Sequence, residues 1–383
     1  MPTRKGWALG LSSLAVGAGG RALGVPELFV VAVAGLALVA ASVAYVGARR
    51  PPLEATRRLA PGRVTAGRTA RVVLTVANRG RRAPPHRLED GVAAGFDRPS
   101  MGAGEVVGLE YRLDAPRRGL VDVGPLRMTV EDPFGLAARR VPVLAPSPLV
   151  VHPVVEAIAL PPERAGAPTA PHPATAPVPG GELHGLRPYE PGDDVRLVHW
   201  PTSARLDALV VRQDEMPRLR RTVVALDTSV GARQGATFEA AVSAAASVVA
   251  AACAGDGTAR LVTSAGLDSG SAGGHAHLEE VLDLLAVVQP DRARAVGTAA
   301  ALLTGDEDVT LVVVTTLAGV AGGLTALAAT PGAATMVAVV LAAPQDGAGV
   351  GGGAGFDVVV RVPPGASWRE AWDRIVPRGG ADR

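Results

Sequence analysis

The octapeptide TVVALDTS, residues 222–229, decides the fold of the larger part of this chain. Thr222 to Leu226 is a short, continuous apolar run. Such a run suits a strand covered on both faces. It ends at Asp227, the first acid after it. Downstream, Phe238, Val242, Ala245 and Val249 recur at helical spacing, Arg260 to Thr263 reads as a second strand, and Leu278, Val281, Leu282 and Leu285 mark a second helical face. Val309 to Val314, Met336 to Leu341 and Phe356 to Val362 complete the strands. Strands alternating with helices predict a parallel sheet with right-handed crossovers. Ligands of such sheets bind at the carboxyl ends of strands, and Asp227 stands at one of them. Residues 217–383 are therefore expected to be an α/β, Rossmann-type domain.

Upstream, composition changes. Pro161 to Pro179 is rich in Pro and Ala with almost no large apolar side chain, and residues 154–181 read as a linker. Between Leu53 and Pro153 the period is two. Val72, Leu74 and Val76 alternate with Arg71, Val73 and Thr75, and Asn78-Arg79-Gly80 supplies a turn. Val107, Leu109, Tyr111 and Leu113 form a second such run, and Leu126, Met128 and Val130 a third. This predicts an antiparallel β-sandwich over residues 51–153 with one buried face per sheet.

The N-terminus has a different solvent. Leu28 to Gly47 carries no charge and matches the roughly 20 residues needed to cross a bilayer. Trp7 to Gly20 is a shorter apolar run. Arg4 and Lys5 precede the pair, Arg49 and Arg50 follow it, and Arg21 and Glu27 lie between. The expectation for residues 1–50 is a transmembrane helical hairpin with Trp7 and Tyr45 at the interface and both ends cytoplasmic. This places the chain in the plasma membrane against lipid, with its soluble domains facing the cytoplasm. The other reading of the first run is a cleaved signal peptide, which still leaves the second helix as an anchor.

Bulk numbers narrow the chemistry. The formal net charge of the 383 residues is +2, with acids and bases interspersed, so nothing points to nucleic acid. Lys5 is the only lysine, which excludes a phosphate loop of the Walker type. The single cysteine, Cys253, excludes an internal disulfide and a multi-cysteine zinc site. His275 and His277, in a Gly-rich stretch, read as part of a solvated loop. No nucleophile elbow is present.

The most distinctive stretch is GGELHGLRPYEPGDDVRLVHWPTSARLDALVVRQDE, Gly180 to Glu215, within a segment bounded at 182–216. Glu190-Pro191-Gly192-Asp193 suits a type II turn. Asp193 or Asp194 then caps a short helical turn carrying Val195, Val198 and Trp200, with Pro201 at or just past its end. Arginines and carboxylates are interleaved and can pair in bidentate forks. Three uses are open. The residues form a buried ion-pair clamp, or a partner-binding surface, or an acid/base site on Asp193, Asp194 and His199, the last making the protein a hydrolase.

Here the sequence closely resembles the bacterial domain-of-unknown-function 58 family. Leu186, Arg187, Tyr189, Gly192, Asp193, Asp194, Arg196, Trp200, Ala204 and Arg205 match its hallmark place by place. Arg117-Arg118-Gly119, Gly124-Pro125 and Asp132-Pro133-Phe134-Gly135-Leu136 look like its upstream motifs. The resemblance implies a von Willebrand factor A-like domain at the C-terminus. It implies a MoxR-type AAA+ ATPase as partner, often with a membrane transglutaminase-like protein, and no established catalysis. The expectation is a non-enzymatic, membrane-anchored adaptor working with that ATPase during assembly of envelope or secreted complexes. Arg187, Tyr189, Gly192, Asp193, Asp194, Arg196, Trp200 and Arg205 would be its clamp or partner surface.

The same resemblance implies a divalent-ion site on three loops. Asp227 and Ser229 fit its first loop, but Gly231 offers no side-chain oxygen at the third ligand place. Thr298 fits the second loop. Thr315, Thr316 and Leu317 bring no acid from the third. Magnesium usually takes one or two carboxylates, so weak binding or none is expected and no other cofactor is implied.

Overall fold

The structure is a computed structural model. It describes residues 1–48, 52–80, 86–91, 101–162, 183–190, 195–214, 220–229, 235–255, 257–291, 309–316, 327, 333–342 and 355–376. The chain divides into two compact units, Met1–Val154 and Val155–Arg383.

In the first unit, α1 (Arg4–Leu23) and α2 (Pro26–Ala48) form an apolar helix pair. Thr3 caps α1 by accepting the Gly6 amide, and Gly24, at φ 68°, ends it in the left-handed region that suits glycine. Small residues let the helices approach. Ser13 of α1 faces Gly35 of α2, and Gly17 faces Ala32. Leu11, Leu14, Phe29, Val30 and Val31 point outward and stay exposed. α2 alone of the pair is long and apolar enough to cross a membrane.

Strands β1 (Leu53–Ala60), β3 (Arg68–Asn78) and β5 (Val106–Ala115) make one antiparallel sheet. A second sheet joins β2 (Arg63–Thr65), β9 (Ser147–His152) and β6 (Gly119–Val123). A third joins β4 (His86–Asp90), β7 (Leu126–Glu131) and β8 (Ala138–Leu144). The period-two pattern is obeyed: Val72, Leu74 and Val76 are wholly buried on one face of β3. Two apolar cores result. Val72 and Leu113 meet Leu149 and Val151 in one. Leu74, Val76 and Val107 meet Leu88, Leu126 and Met128 in the other, nearer the start of β1. The Asn78 turn is closed by its own side chain, which accepts the Gly80 amide and donates to Met101 and Gly102 carbonyls.

In the second unit, β12 (Arg221–Leu226), β13 (Thr258–Thr263), β14 (Val309–Thr316), β15 (Ala333–Leu341) and β16 (Val358–Val362) form a wholly parallel sheet of order β13-β12-β14-β15-β16. Between its strands come α4 (Gly235–Cys253) and α5 (Gly274–Val287), and after them α6 (Trp368–Ile375). All three helices share one core with the sheet. α4 is long and apolar enough to cross a membrane, yet most of its apolar stretch is buried, so it is a core helix. Residues 155–160, at the head of the Pro/Ala-rich segment, run along this core. Glu156 receives Arg369 and its amide donates to Ser247, while the Trp372 indole donates to Ala159.

One expectation is corrected here. His275 and His277 lie on the first turn of α5, not in a solvated loop. His277 is 5% exposed and its Nε2 lies 2.9 Å from the Ala259 carbonyl, whereas His275 is solvated beside Glu279. The Gly273-Gly274 pair hid the helix start from a reading by composition.

Candidate functional site

Between the Pro/Ala-rich segment and β12 in the chain, the signature segment folds on itself. β10 (Leu183–Pro188) pairs antiparallel with β11 (Val210–Asp214). Between them run a 3₁₀ turn, Val195–Leu197, and α3 (Trp200–Leu206). The 3₁₀ turn stops at Val198, which bridges to Val211, and the His199 amide donates to Val210. A new helix then starts. Pro201 therefore sits in the first turn of α3 and does not end a helix at Trp200. Its missing N–H would be unpaired there anyway, and its fixed φ suits a helix start. The Ser203 hydroxyl is buried and accepts the Val210 amide, fastening α3 to β11.

The described signature residues are mostly at the surface. Trp200 is 61% exposed, and Leu186, Val195, Leu206 and Leu209 are exposed with it. Arg196 and Arg205 are exposed, and Tyr189 is half-buried, its amide donating to Leu209. His199 Nδ1 lies 2.9 Å from Thr202 Oγ1. Gly192, Asp193 and Asp194 lie outside the described residues, and of Arg187 only the backbone, in β10, is described.

The second candidate lies where the parallel sheet changes direction. From β12 the chain goes first to one neighbour, β13, and later to the other, β14. The crevice at the carboxyl ends of β12 and β14 is thus the switch point at which such sheets bind ligands. Asp227 sits there, fully buried. Its Oδ1 accepts the Ser229 amide at 2.9 Å and the Ser229 hydroxyl at 2.6 Å, and its Oδ2 accepts Thr315 Oγ1 at 2.6 Å. Beside it, the Thr228 amide donates to Ser264 Oγ at 2.9 Å, the two hydroxyls lie 2.8 Å apart, and the Asp291 amide donates to the Thr228 carbonyl.

Asp227, Ser229 and Thr315 thus converge, and Thr298 lies outside the described residues. Among the described residues this donor set is poor in charge for a divalent ion. It offers one carboxylate, and both oxygens already accept hydrogen bonds from the chain. A hard cation needs oxygen lone pairs and compensating charge. As described, the cluster braces the ends of three strands.

A third group escaped the sequence reading. In the first unit the Arg57 and Asp90 side chains are both fully buried and meet at 2.8 Å. Arg57 also donates to the Val123 and Ala145 carbonyls, and the Tyr111 hydroxyl donates to Asp90 Oδ2 at 2.7 Å. The guanidinium lies against Gly124, whose φ of 106° and absent side chain leave room that a Cβ would fill. Burial, followed by the hydrogen bond and the charge of Asp90, pushes the Tyr111 hydroxyl well above the ordinary tyrosine range. The only signal in sequence was an apolar-alternating strand with Arg57 on a position that faces inward.

No curated protein matches the chain. Among solved structures, the solution structure of a CARDB domain from Pyrococcus furiosus is similar over 24% of this chain and 95% of that domain, at 19% identity and a TM-score of 0.16. A β-glucosidase from Listeria innocua, in complex with gluconolactone, is similar over 25% of this chain and 16% of the enzyme, at 18% identity and a TM-score of 0.13. Residues 185–350, from within β10 to beyond β15, match the family model described as "Protein of unknown function DUF58".

Proposed function

We propose that the protein is a membrane-anchored, non-enzymatic adaptor whose signature module docks a MoxR-type AAA+ ATPase during assembly of envelope or secreted complexes. The observation that carries this reading is the exposure of Trp200 together with Leu186, Val195, Leu206 and Leu209. All five belong to the one small module that spans β10, the 3₁₀ turn, α3 and the approach to β11; exposed apolar side chains concentrated in this way mark interaction sites, and Trp is enriched in binding hot spots. Exposed Arg196 and Arg205 add cationic groups suited to an acidic partner rim.

On this reading α1 and α2 are a transmembrane hairpin, and the basic residues outside both ends put the soluble units in the cytoplasm. The second unit is von Willebrand factor A-like, as its parallel sheet with Asp-x-Ser after β12 suggests. A membrane transglutaminase-like protein is a further expected partner. The test is co-purification of the detergent-extracted full chain with the ATPase encoded beside it, in ATP, in ADP and without nucleotide. Capture that Trp200→Ala abolishes supports the proposal. Failure in all three states, or capture indifferent to Trp200→Ala and Leu206→Ser, overturns it.

A further inference from the structure

The turn Asp132 to Leu136 belongs by sequence to the β domain, but it is fastened to the helix pair. Thr3 Oγ1 donates to the Gly135 carbonyl at 2.6 Å, and the Thr3 amide to Leu136 at 2.8 Å. Pro2 bridges to Ala137, while the Met1 carbonyl accepts the Ala138 amide. Gly6 lies so close to the Leu136 carbonyl that a Cβ could not fit. From the other helix, the Ser42 hydroxyl donates to Asp132, and Arg139 reaches the Gly47 carbonyl. The turn is therefore held at the outer ends of both helices, at the first turn of α1 and within about two turns of the end of α2.

At that level stand the groups of a membrane surface. Trp7 is 60% exposed, Tyr45 is half-buried, and Arg4 and Lys5 are exposed. Amphipathic aromatics and cations of this kind sit at the headgroup level. Phe134, at the tip of the turn, is 64% exposed. Its ring is not needed to shape the turn. The Asp132 carboxylate does that by accepting the Phe134 and Ala137 amides.

We infer that the Asp132–Leu136 turn is a membrane-surface contact, with Phe134 seated in the interfacial layer of the phospholipid bilayer. This rests on the reading of α1 and α2 as membrane-spanning. It adds a third point of contact between the β domain and the membrane besides the two helix ends. Such a contact limits rotation of that domain about its anchor.

Three single-cysteine proteins test it, each with the lone Cys253 replaced by Ala and the new thiol carrying an environment-sensitive fluorophore. Phe134→Cys reports the turn. Leu36→Cys, in the middle of α2, reports the span. Leu120→Cys, on β6, is about as exposed as Phe134 at 61%, but lies on a strand whose Val121 and Val123 pack in the other core. In vesicles, the label at 134 is expected to emit farther to the blue than that at 120. It should be quenched by nitroxide on the upper acyl chains and shielded from iodide. A label at 134 that behaves like the one at 120, while 36 is quenched by lipid nitroxide, overturns the contact and leaves the span intact. Iodide quenching at 36 overturns the span and the contact with it. Equal lipid quenching at 134 and 120 also overturns the proposal, because the turn would then have no special place. Unchanged melting of the labelled proteins shows that each is folded.

Discussion

Burying a carboxylate costs free energy unless donors satisfy it, and the chain spends its best donors on a few acids. Asp227 is the case legible in sequence, since an acid ending an apolar strand of a parallel sheet stands where ligands bind. What could not be read was that Ser229 and Thr315 would turn their hydroxyls onto its two oxygens. That depends on the register of β12 against β14, which are 88 residues apart at that contact. Replacing Asp227 by Ala is expected to lower stability by about 2–4 kcal/mol, because buried hydroxyl and amide donors lose a charged acceptor. Denaturant titration of the extracted protein checks this. Calorimetry with magnesium or manganese should show no micromolar binding in either form, and such binding abolished by Asp227→Ala would restore the metal reading. The buried Arg57–Asp90 pair was not legible at all, since a strand pattern does not say which inward arginine finds an acid. Removing one partner, as in Asp90→Ala, should cost about 3–5 kcal/mol. Tyr111 adds a pH signature. Its folded-state pKa is raised, so its contribution is complete below the ordinary value of about 10 and is lost progressively as pH rises above it. Melting temperature should fall between neutral pH and pH 11, and Tyr111→Phe should flatten that fall.

At the scale of elements, period gave the strands and composition misled at the joints. Continuous apolar runs placed β12, β14 and β15 to within a few residues, and alternation placed β3, β5 and β7. Helix starts were harder. Pro201 and the Gly273-Gly274 pair both stand at the beginning of a helix, where backbone donors are unpaired anyway, so a breaker there does not break. α3 is short, and most of its large side chains face solvent. Trp200→Ala should therefore change stability by less than about 0.5 kcal/mol, the range for surface positions, while removing partner capture. A large loss of stability in a thermal melt would show Trp200 to be structural. The Asp132 turn makes an opposite prediction. Burial pushes its carboxyl up, but donors from Ala137, Phe134, Ser42 and Leu136 outweigh this and hold it below the ordinary carboxylate range. Its contribution is complete above that range and is lost as pH falls through it. Asp132→Asn should remove part of the acid sensitivity of the β domain, read by hydrogen exchange at Phe134 and Ala137.

For the whole molecule, the proposed anchoring turns on which side of the membrane the two units would stand. The outer ends of the helix pair carry Arg4 and Lys5 at one side and Arg49 and Arg50 at the other. Arginine and lysine within short loops bias those loops to the cytoplasm. If both helices cross, the basic outer flanks favour both ends on the cytoplasmic side, since the connection carries one base, Arg21, against Arg4, Lys5, Arg49 and Arg50 outside it. If only α2 crosses, after removal of the first run, Arg49 and Arg50 still retain the C-terminal side inside. Both cases predict the same location for Arg383, which makes the C-terminus the informative place to fuse a reporter. Green fluorescent protein joined after Arg383 should fluoresce, because it matures in the cytoplasm. Alkaline phosphatase at the same place should be inactive, because its disulfides form only in an oxidising compartment. The reverse result would place Trp200 and its neighbours outside the cell membrane, out of reach of any ATP-driven partner. It would remove the adaptor reading together with the topology. A fusion at Leu23, between the two helices, then separates the two anchoring cases. Full-length, membrane-held phosphatase activity there shows two spans, and activity released on a shortened product shows a cleaved leader.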